Sequence, residues 1–148
     1  MKKFMKLIFT LILAFSIFGC SSPTNNQKAI LKDGYYYSKE DVCTYLQIYN
    51  ELPDNFITKD EAAKLGWVST KLNLWEGAKG MCIGGDKFGN REGLLPKEKG
   101  RQYYECDIDY NGGNRGGKRI VYSNDGLIYY TEDHYESFED ITYENYYD

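Results

Sequence analysis

The sequence has little of what a metal centre requires. It contains one histidine and four cysteines in 148 residues, and the cysteines form no CxxC pair. Zinc sites in small domains need closely spaced ligand pairs, so this spacing argues against zinc. Asp107 to Gly112 follows the opening of an EF-hand calcium loop, but the twelfth position is Lys118 instead of the required acid. We therefore expect neither a metal nor a cofactor.

The chain also lacks an excess of positive charge. Its formal net charge is −4, and without the three lysines of its first six residues it has 15 basic against 22 acidic residues, a net charge of −7. An acidic protein does not adhere broadly to nucleic acid, although a local basic cleft remains compatible with this balance.

Residues 1–20 have the pattern of a signal peptide. Lysines precede an apolar run, Leu7 to Phe18, that is too short to span a bilayer comfortably and ends at Gly19-Cys20. The last four of these residues resemble a bacterial lipobox, although Phe18 is bulkier than usual. We predict export from the cytosol and leave two forms open: a secreted protein, or one held at the outer face of the cell membrane through a lipidated Cys20.

The remaining chain has room for one domain. Residues 21–27 consist of Ser, Pro, Thr, Asn and Gln, a composition typical of a flexible linker. We predict a flexible tether over 21–34, a folded domain over 35–142, and a C-terminal extension over 143–148 with no assigned role.

Two capping patterns predict short helices in the first part of the domain. Ser38, with Asp41 as an acidic reciprocal partner, precedes an apolar stripe at helical spacing, formed by Val42, Tyr45, Leu46 and Tyr49. Thr58 and Glu61 form a second capping box, whose helix Gly66 ends. A third helical piece over 73–78 has a weaker pattern.

Beyond Gly80 the apolar period changes to two. The predicted strands span 102–108, 118–123, 127–131 and 138–141, with a hairpin turn at 124–126. For Gly84 to Asp86, taken together with residues 89–93, two interpretations stay open: a simple glycine-rich turn or a loop that contacts a base. Helices followed by strands predict an α+β fold, with short N-terminal helices packed on a twisted antiparallel sheet. Alternation within 102–108 puts Cys106 towards the helices and Glu105 on the open face.

Two side chains suit proton transfer. His134 is the only histidine, and a lone histidine is usually an ordinary surface residue, but no other unperturbed side chain titrates near neutral pH. Glu105 lies within a strand, where glutamate is disfavoured and usually serves a solvated face or a salt bridge. Together, a carboxylate and an imidazole could pass protons in opposite directions across one phosphate.

Two glycine-rich stretches could contact a nucleotide. Residues 111–117 carry Arg115 and precede Lys118 and Arg119; the stretch is either a flexible charged loop or a phosphate site with Asp107 as its anchor. Residues 89–93 are either a simple turn or a loop whose backbone N–H groups and Glu92 together complement one edge of guanine.

The ordered matches along the chain carry a family resemblance. They include Leu52 to Lys59, Leu65 to Ser69, Asn90 to Gly93, Arg119 to Ser123 and Thr131 to Tyr135. The chain resembles the microbial guanyl-preferring ribonucleases, the family of barnase and binase, without an evident gap from about residue 36 to residue 142. The resemblance implies a monomeric secreted endoribonuclease that cleaves single-stranded RNA after guanosine, through a 2′,3′-cyclic phosphate and without metal.

Residue roles follow from the resemblance position by position. Glu105 matches the general base and His134 the general acid. The cations that hold the phosphate match Lys59, Arg115 and Arg119. Guanine and nucleotide contacts match Phe88, Asn90, Arg91, Glu92 and Tyr135, with the base carbonyl received by backbone amides of residues 90 and 91. Two supporting acids match Asp86, which orients Lys59, and Asp107, which buttresses the arginines.

The chain departs from the family in several ways. Gly89 replaces a serine of the guanine loop, and the chain is acidic where barnase is basic, which predicts weaker binding to long RNA. The family has no native disulfide, so a bridge would be peculiar to this branch, with Cys43 and Cys106 the favoured pair and Cys82 left over. The resemblance also implies an acidic, barstar-like inhibitor protein as partner. The alternatives are a catalytically weak module that binds RNA or the inhibitor, and a toxin domain delivered to rival cells.

Overall fold

The computed structural model describes residues 28–71 and 73–147. The predicted leader, Cys20 and residues 21–27 of the predicted tether lie outside the described residues. The elements in chain order are α1 (Lys39–Tyr49), β1 (Phe56–Ile57), α2 (Lys59–Lys64), 3₁₀ turns at Ser69–Lys71 and Leu74–Glu76, β2 (Cys82–Phe88), β3 (Tyr103–Asp107), β4 (Arg119–Ser123), β5 (Ile128–Thr131) and β6 (Glu139–Asp140). Within the described ranges, no helix has the length and hydropathy needed to cross a membrane.

The strands form one sheet in chain order, β1 to β6. β1 pairs with β2 in parallel, and every later pair is antiparallel. Short helices precede this meander, so the predicted α+β fold is confirmed.

Strand β2 contains two glycines, Gly84 and Gly85, that the sequence alone suggests as part of a turn or loop. A Cβ at Gly84 would lie 2.6 Å from the Phe56 ring and 2.7 Å from Cys106 Cβ, so a larger residue would separate β2 from its neighbours. Gly85 has a φ of +96°, and the register with β3 shifts between Gly84 and Asp86. This bulge lets the chain continue as a strand and redirects Asp86, which pairs with Glu105. Residues 84–86 are therefore part of a strand, and neither interpretation as a turn or loop holds for them.

Helix α1 covers one face of the sheet. Its buried residues pack in one cluster with Cys106, Ile108, Ile120 and Ile128. On the other face, Tyr103 packs in a separate cluster with Val121 and Tyr129. The alternation predicted for β3 is therefore present, and it leaves Glu105 on the face away from α1.

The three cysteines in the described part of the chain are buried and unpaired. The Cys43 thiol instead donates a hydrogen bond to the Ile141 carbonyl, at 3.4 Å between Sγ and oxygen. Burial raises the pKa of Cys43 and of Cys82 to about 12, so both remain neutral thiols with little reactivity. The predicted Cys43–Cys106 bridge is wrong, because both thiols serve as small apolar groups in the α1 cluster.

Residues 28–34 pack against the domain, although we predicted them as part of the tether. Ile30 is buried in the α1 cluster. Tyrosine hydroxyls hold the backbone of this segment: Tyr45 donates to the Lys32 carbonyl at 2.9 Å and Tyr49 to the Ile30 carbonyl at 3.0 Å. The folded part of the chain therefore begins before residue 35.

The C-terminal extension is also held in place. Gln47 on α1 donates to the carbonyls of Thr142 and Glu144, and the Tyr147 hydroxyl donates to Asp41 at 2.6 Å. Lys28 contacts the other carboxylate oxygen of Asp41 at 2.5 Å. Both ends of the domain thus meet at Asp41. The capping pattern at Ser38 predicted this residue only as a partner within α1.

We predict that Asp41→Asn lowers the free energy of unfolding at neutral pH by about 1–2 kcal/mol, because a charged hydrogen-bond acceptor is lost. Burial raises the pKa of Asp41, but hydrogen bonds from Lys28 and Tyr147 and the charge of Lys28 outweigh it, so the pKa is lowered. The stabilisation is thus present above the unfolded-state pKa and is lost as pH falls through the folded-state pKa.

Urea unfolding of both proteins at pH 7 and below about pH 4 measures this effect. Glu51→Gln is the matched control, because Glu51 also pairs with an N-terminal lysine, Lys32, but is 56% exposed. Equal losses in the two variants, or a loss for Asp41→Asn that does not shrink in acid, would contradict the prediction.

Candidate active site

Glu105 lies in the middle of β3, where it pairs with Asp86 of β2 and Val121 of β4. Its side chain is 13% exposed. One carboxylate oxygen accepts a hydrogen bond from Lys59 Nζ at 2.7 Å, and the other accepts one from the Tyr135 hydroxyl at 2.7 Å. Both oxygens are therefore held in fixed directions on the face of the sheet that α1 leaves open.

Lys59 is placed by the start of α2. Thr58 and Glu61 form the predicted capping box, in which the Thr58 hydroxyl accepts from the Glu61 N–H and the Glu61 carboxylate from the Thr58 N–H. Asp86 accepts the Lys59 backbone N–H at 3.0 Å, which ties α2 to the bulged strand β2. The Lys59 side chain is 45% exposed, so its ammonium contacts Glu105 and also remains accessible to an anion.

Asp107 holds two arginines. Its carboxylate is 3% exposed and accepts hydrogen bonds from Arg115 Nε and Nη2 at 2.7 and 2.8 Å. These bonds raise the pKa of Arg115, against the opposing effect of its burial. Arg119, across the β3–β4 ladder, has its Nε 3.0 Å from Asp107 Oδ1. Its N–H does not point at that oxygen, so the contact is an ion pair without a directed hydrogen bond.

Arg119 is also fixed by backbone. Its Nη1 donates to the carbonyls of Gly116 and Lys118, each at 2.7 Å, and its side chain is 5% exposed. Lys118, the remaining candidate cation of this stretch, pairs at the surface with Asp109 at 3.0 Å.

His134 is exposed on the loop that follows β5. His134 and Tyr135 have φ angles of +57° and +74°, a left-handed conformation that costs free energy in non-glycine residues. Side chains hold the loop in this form: Thr131 Oγ1 accepts the Tyr135 N–H, and Asp133 accepts the N–H and hydroxyl of Ser137. Bonds from Ser137 and Thr131 lower the pKa of Asp133 to about 2.

Gly117 lets the loop that carries Arg115 lie against the loop that carries His134. A Cβ at this position would lie 3.2 Å from the Glu132 carbonyl oxygen and 3.5 Å from the His134 nitrogen, so a side chain would press on the His134 backbone. This glycine therefore sets how closely His134 approaches the strand that carries Arg119.

Tyr135 joins the separate parts of the site. Its hydroxyl contacts Glu105 and Arg119, and burial together with the Glu105 carboxylate raises its pKa, so it remains a hydrogen-bond donor. Its ring stacks on Phe88, with centroids 5.2 Å apart, and the His134 ring lies 4.9 Å from it. The structure therefore brings Glu105, His134 and Phe88 to one side of the sheet.

The loop after β2 is closed by Asn90. This residue has a φ of +45° and is 7% exposed; its side chain accepts the Leu95 N–H at 3.0 Å and donates to the Leu95 carbonyl at 2.8 Å. The side chain thus shapes the loop and leaves ligand contacts to the backbone. Arg91 and Glu92 are exposed. A cleft of about 320 Å³ lies beside the loop, lined in part by Phe88, Asn90 and Tyr103.

Comparisons with known proteins match this architecture to one family. A family profile described as ribonuclease matches residues 39–142. A ribonuclease of Heyndrickxia coagulans is 55% identical over 100 residues, covering 68% of this chain and 92% of that protein. A ribonuclease of Bacillus intermedius is also 55% identical over 100 residues, with 68% and 62% covered. Guanyl-specific ribonuclease St of Saccharopolyspora erythraea is 46% identical over 55 residues, 36% of this chain and 54% of that protein.

The chain belongs to the ribonuclease family. The resemblance to microbial guanyl-preferring ribonucleases is thereby confirmed, and the protein is an endoribonuclease. Within this ribonuclease, sequence reasoning named the groups that face the open side of the sheet and the two acids, Asp86 and Asp107, that support the cations. It missed the residues that hold the loop of His134, which are Thr131, Asp133, Ser137 and Gly117. Their signal is the cluster of small hydroxyl residues around one acid, which is typical of a side-chain-stabilised loop.

We predict that Asp107→Asn lowers the free energy of unfolding of the ribonuclease by about 3–5 kcal/mol, because Arg115 and Arg119 would lose the carboxylate that compensates their buried charge. Asp109→Asn is the matched control: it breaks the exposed pair with Lys118, which contributes about 1 kcal/mol or less, and Asn tolerates the φ of +57° at this position. Urea unfolding of the two variants measures the difference, and equal losses would show that the burial of Asp107 carries no special weight.

Proposed function

We propose that this ribonuclease cleaves single-stranded RNA after guanosine by general acid–base catalysis, through a 2′,3′-cyclic phosphate. The observation that supports this proposal is the placement of a carboxylate, Glu105, and an imidazole, His134, on one side of the sheet, connected through Tyr135. A phosphodiester between two such groups can receive a proton on one side and lose one on the other.

In the first step, Glu105 takes the proton of the ribose 2′-hydroxyl. The 2′-oxygen forms a bond to phosphorus, the bond from phosphorus to the 5′-oxygen breaks, and His134 gives its proton to that departing oxygen. In the second step, His134 takes a proton from water, the water oxygen attacks phosphorus, and Glu105 returns its proton to the leaving 2′-oxygen. Both side chains end in their starting protonation states.

Three cations stabilise the charge that develops on the phosphate oxygens. Asp107 uses Nε and Nη2 of Arg115, which leaves the Nη1 end of the guanidinium for a phosphate. Lys59 contacts Glu105 in the free enzyme and is exposed enough to turn to the substrate. Arg119 is held by backbone carbonyls and supplies a fixed charge. Groups fixed before the reaction stabilise a transition state without reorganising.

The loop at residues 88–93 would select guanine. Because the Asn90 side chain is bonded within the loop, the backbone N–H groups of residues 90 and 91 are held in place and can bind the base carbonyl. The exposed carboxylate of Glu92 can accept the two neighbouring N–H groups of the base. Phe88 and Tyr135, stacked at 5.2 Å, offer aromatic surface beside it.

The decisive experiment is digestion of a defined single-stranded RNA in the presence of a chelator, followed by mapping of the cut ends. We expect cuts after guanosine that carry 2′,3′-cyclic phosphate termini, at a rate unchanged by chelation. Cuts without base preference would refute guanine selection, and loss of cleavage in chelator would refute a mechanism that uses side chains alone. Binding without turnover would favour the alternative, a catalytically weak RNA-binding homologue.

Variants assign the two proton-transfer roles in the same assay. Glu105→Gln and His134→Ala should each lower kcat/KM by about 100-fold or more. A 5′ leaving group that departs without a proton, such as p-nitrophenolate, should restore activity to His134→Ala but not to Glu105→Gln, because only the general acid serves the leaving group. Restoration of both variants, or of neither, would refute the assignment of acid and base. Glu76→Gln, at an exposed position outside the site, is the control.

Glu92→Gln tests base selection separately. We expect the preference for guanosine over adenosine to fall by roughly tenfold, the loss expected when a charged hydrogen-bond acceptor is removed, while cleavage of the remaining sites continues. A uniform loss at every base would argue that Glu92 serves the phosphate or the fold.

We also infer a secreted enzyme, either free or lipid-anchored through Cys20, with an acidic inhibitor protein kept by the producing cell. The exposed cations Lys59 and Arg91 would form part of the inhibitor's contact surface, where opposite charge accelerates association. Mass spectrometry of the mature N-terminus distinguishes the two forms. Persistent toxicity on co-expression with a candidate inhibitor would count against that candidate.

A further inference from the structure

An aromatic slot lies beyond the C-terminal end of β3. It is lined by Tyr37, Trp75, Asp109, Tyr110 and Asn111 and has a volume of about 340 Å³. The loop at residues 88–93 follows β2 at the opposite end of β3, because Phe88 pairs with Tyr103. Glu105 therefore lies between that loop and the aromatic slot along one strand.

The rings of the aromatic slot are fixed by their polar atoms. Trp75 Nε1 and the Tyr37 hydroxyl donate to the carbonyls of residues 81 and 80, at 2.8 and 2.9 Å. The Tyr110 hydroxyl accepts the N–H of residue 74 at 3.0 Å and donates to the carbonyl of residue 113 at 3.0 Å. The centroid of Trp75 lies 6.4 Å from that of Tyr37 and 5.7 Å from that of Tyr110. The polar atoms are satisfied by backbone, so the walls offer ring surface in a defined position.

The aromatic slot is continuous with the loop that carries Arg115. Residues 111–117 run from the slot to Arg115, and a Cβ at Gly112 would lie 2.9 Å from the Trp75 ring, so this loop rests directly on the tryptophan. The Gly113 N–H is bonded to Asn73, next to Trp75, at 3.2 Å. The segment that carries Arg115 to Asp107 therefore also forms one wall of the slot.

We propose that the aromatic slot binds a base of the RNA strand on the 3′ side of the scissile phosphate. This inference rests on the proposed function, which puts guanosine at the Phe88 end of β3 and the phosphate at Glu105 and Arg115. The strand that leaves the phosphate then runs towards Tyr110. Tyr110 lies five positions after Glu105, at most about 17 Å of extended chain, a distance that a short run of nucleotides can span.

The lining of the aromatic slot favours a base over a phosphate. Asp109 is the one charged residue among the five that line it, and its carboxylate pairs with Lys118 at 3.0 Å, so the lining itself offers a phosphate no cation. The carboxylate can instead accept a hydrogen bond from a ring N–H or an amino group of a base, and Asn111 can donate or accept beside it. Stacking on aromatic rings tolerates any base. It also suits a protein with net charge −4, for which phosphate contacts give little general affinity.

Three substrates of different length test the inference. They are guanylyl-(3′→5′)-uridine, the same dinucleotide extended by three uridines at its 3′ end, and the same dinucleotide extended by three uridines at its 5′ end. We expect the 3′ extension to raise kcat/KM in the wild type. In Trp75→Leu the loss on the 3′-extended substrate should exceed the loss on the other two by about tenfold, as expected when one base–aromatic stack is removed. Trp75→Phe should recover part of it.

Tyr143→Ala is the matched control, because it removes an aromatic residue that is 90% exposed and lies outside the slot. It should leave all three rates unchanged. An equal loss on all three substrates in Trp75→Leu, or an undiminished benefit of the 3′ extension, overturns the inference. Failure of the wild type to cleave any of these substrates after guanosine would instead overturn the proposed function.

A second measurement uses the unaltered protein, so it does not depend on the folding of a variant. The deoxy analogues dGdU and dGdUdUdUdU lack the 2′-hydroxyl and cannot be cleaved by this route. A base stacked on Trp75 should quench tryptophan emission, so the longer analogue should quench it much more than the shorter one. Equal quenching, or none, at concentrations at which the longer analogue inhibits cleavage would overturn the inference.

Discussion

The arrangement of charge in this protein depends on the Asp107 carboxylate. It is 3% exposed and contacts two arginines that would otherwise be unpaired cations at the edge of a core. Arg115 comes from a glycine-rich loop and Arg119 from the neighbouring strand, so one carboxylate fixes a loop to the sheet and sets the spacing of two positive charges. A buried charge is tolerated only when it is compensated. The acid and the arginines therefore form one unit, which a neutral residue at 107 could not replace.

Two neighbours of that unit, Glu105 and Lys59, are positioned by features that a sequence pattern can predict. Period-two alternation put Glu105 and Cys106 on opposite faces of β3, and a capping box placed Lys59 at the start of α2; both depend on contacts within a few residues. The other features depend on distant partners. Strand β2 requires glycine at position 84 because Phe56 and Cys106 leave no space for a side chain. The residues next to Gly84 in the sequence give no sign of this packing.

The same distinction explains why the ends of the domain and the cysteines were mispredicted. Polar composition does not show where packing begins, because the contacts that decide it join residues far apart in the sequence. Ile30 is buried in the cluster under α1, and the Tyr147 hydroxyl bonds to Asp41. Cys43 is suited by type and location to a bridge, yet its thiol bonds a backbone carbonyl. Tyr135 was expected to offer its ring to a nucleotide. Its hydroxyl contact with Glu105 required the β5–β6 loop to be known.

A strained loop next to a rigid strand is consistent with the proposed division of roles. Glu105 is mostly buried and held at both oxygens, whereas His134 is exposed on a loop whose left-handed backbone is maintained by Thr131 and Asp133. The general base must approach the ribose 2′-hydroxyl from one direction. The general acid must follow the departing 5′-oxygen and later take a proton from water. In an acidic protein these groups can attract RNA only locally. Ring surface at both ends of β3, at Phe88 and at Trp75, would then add affinity that charge does not supply.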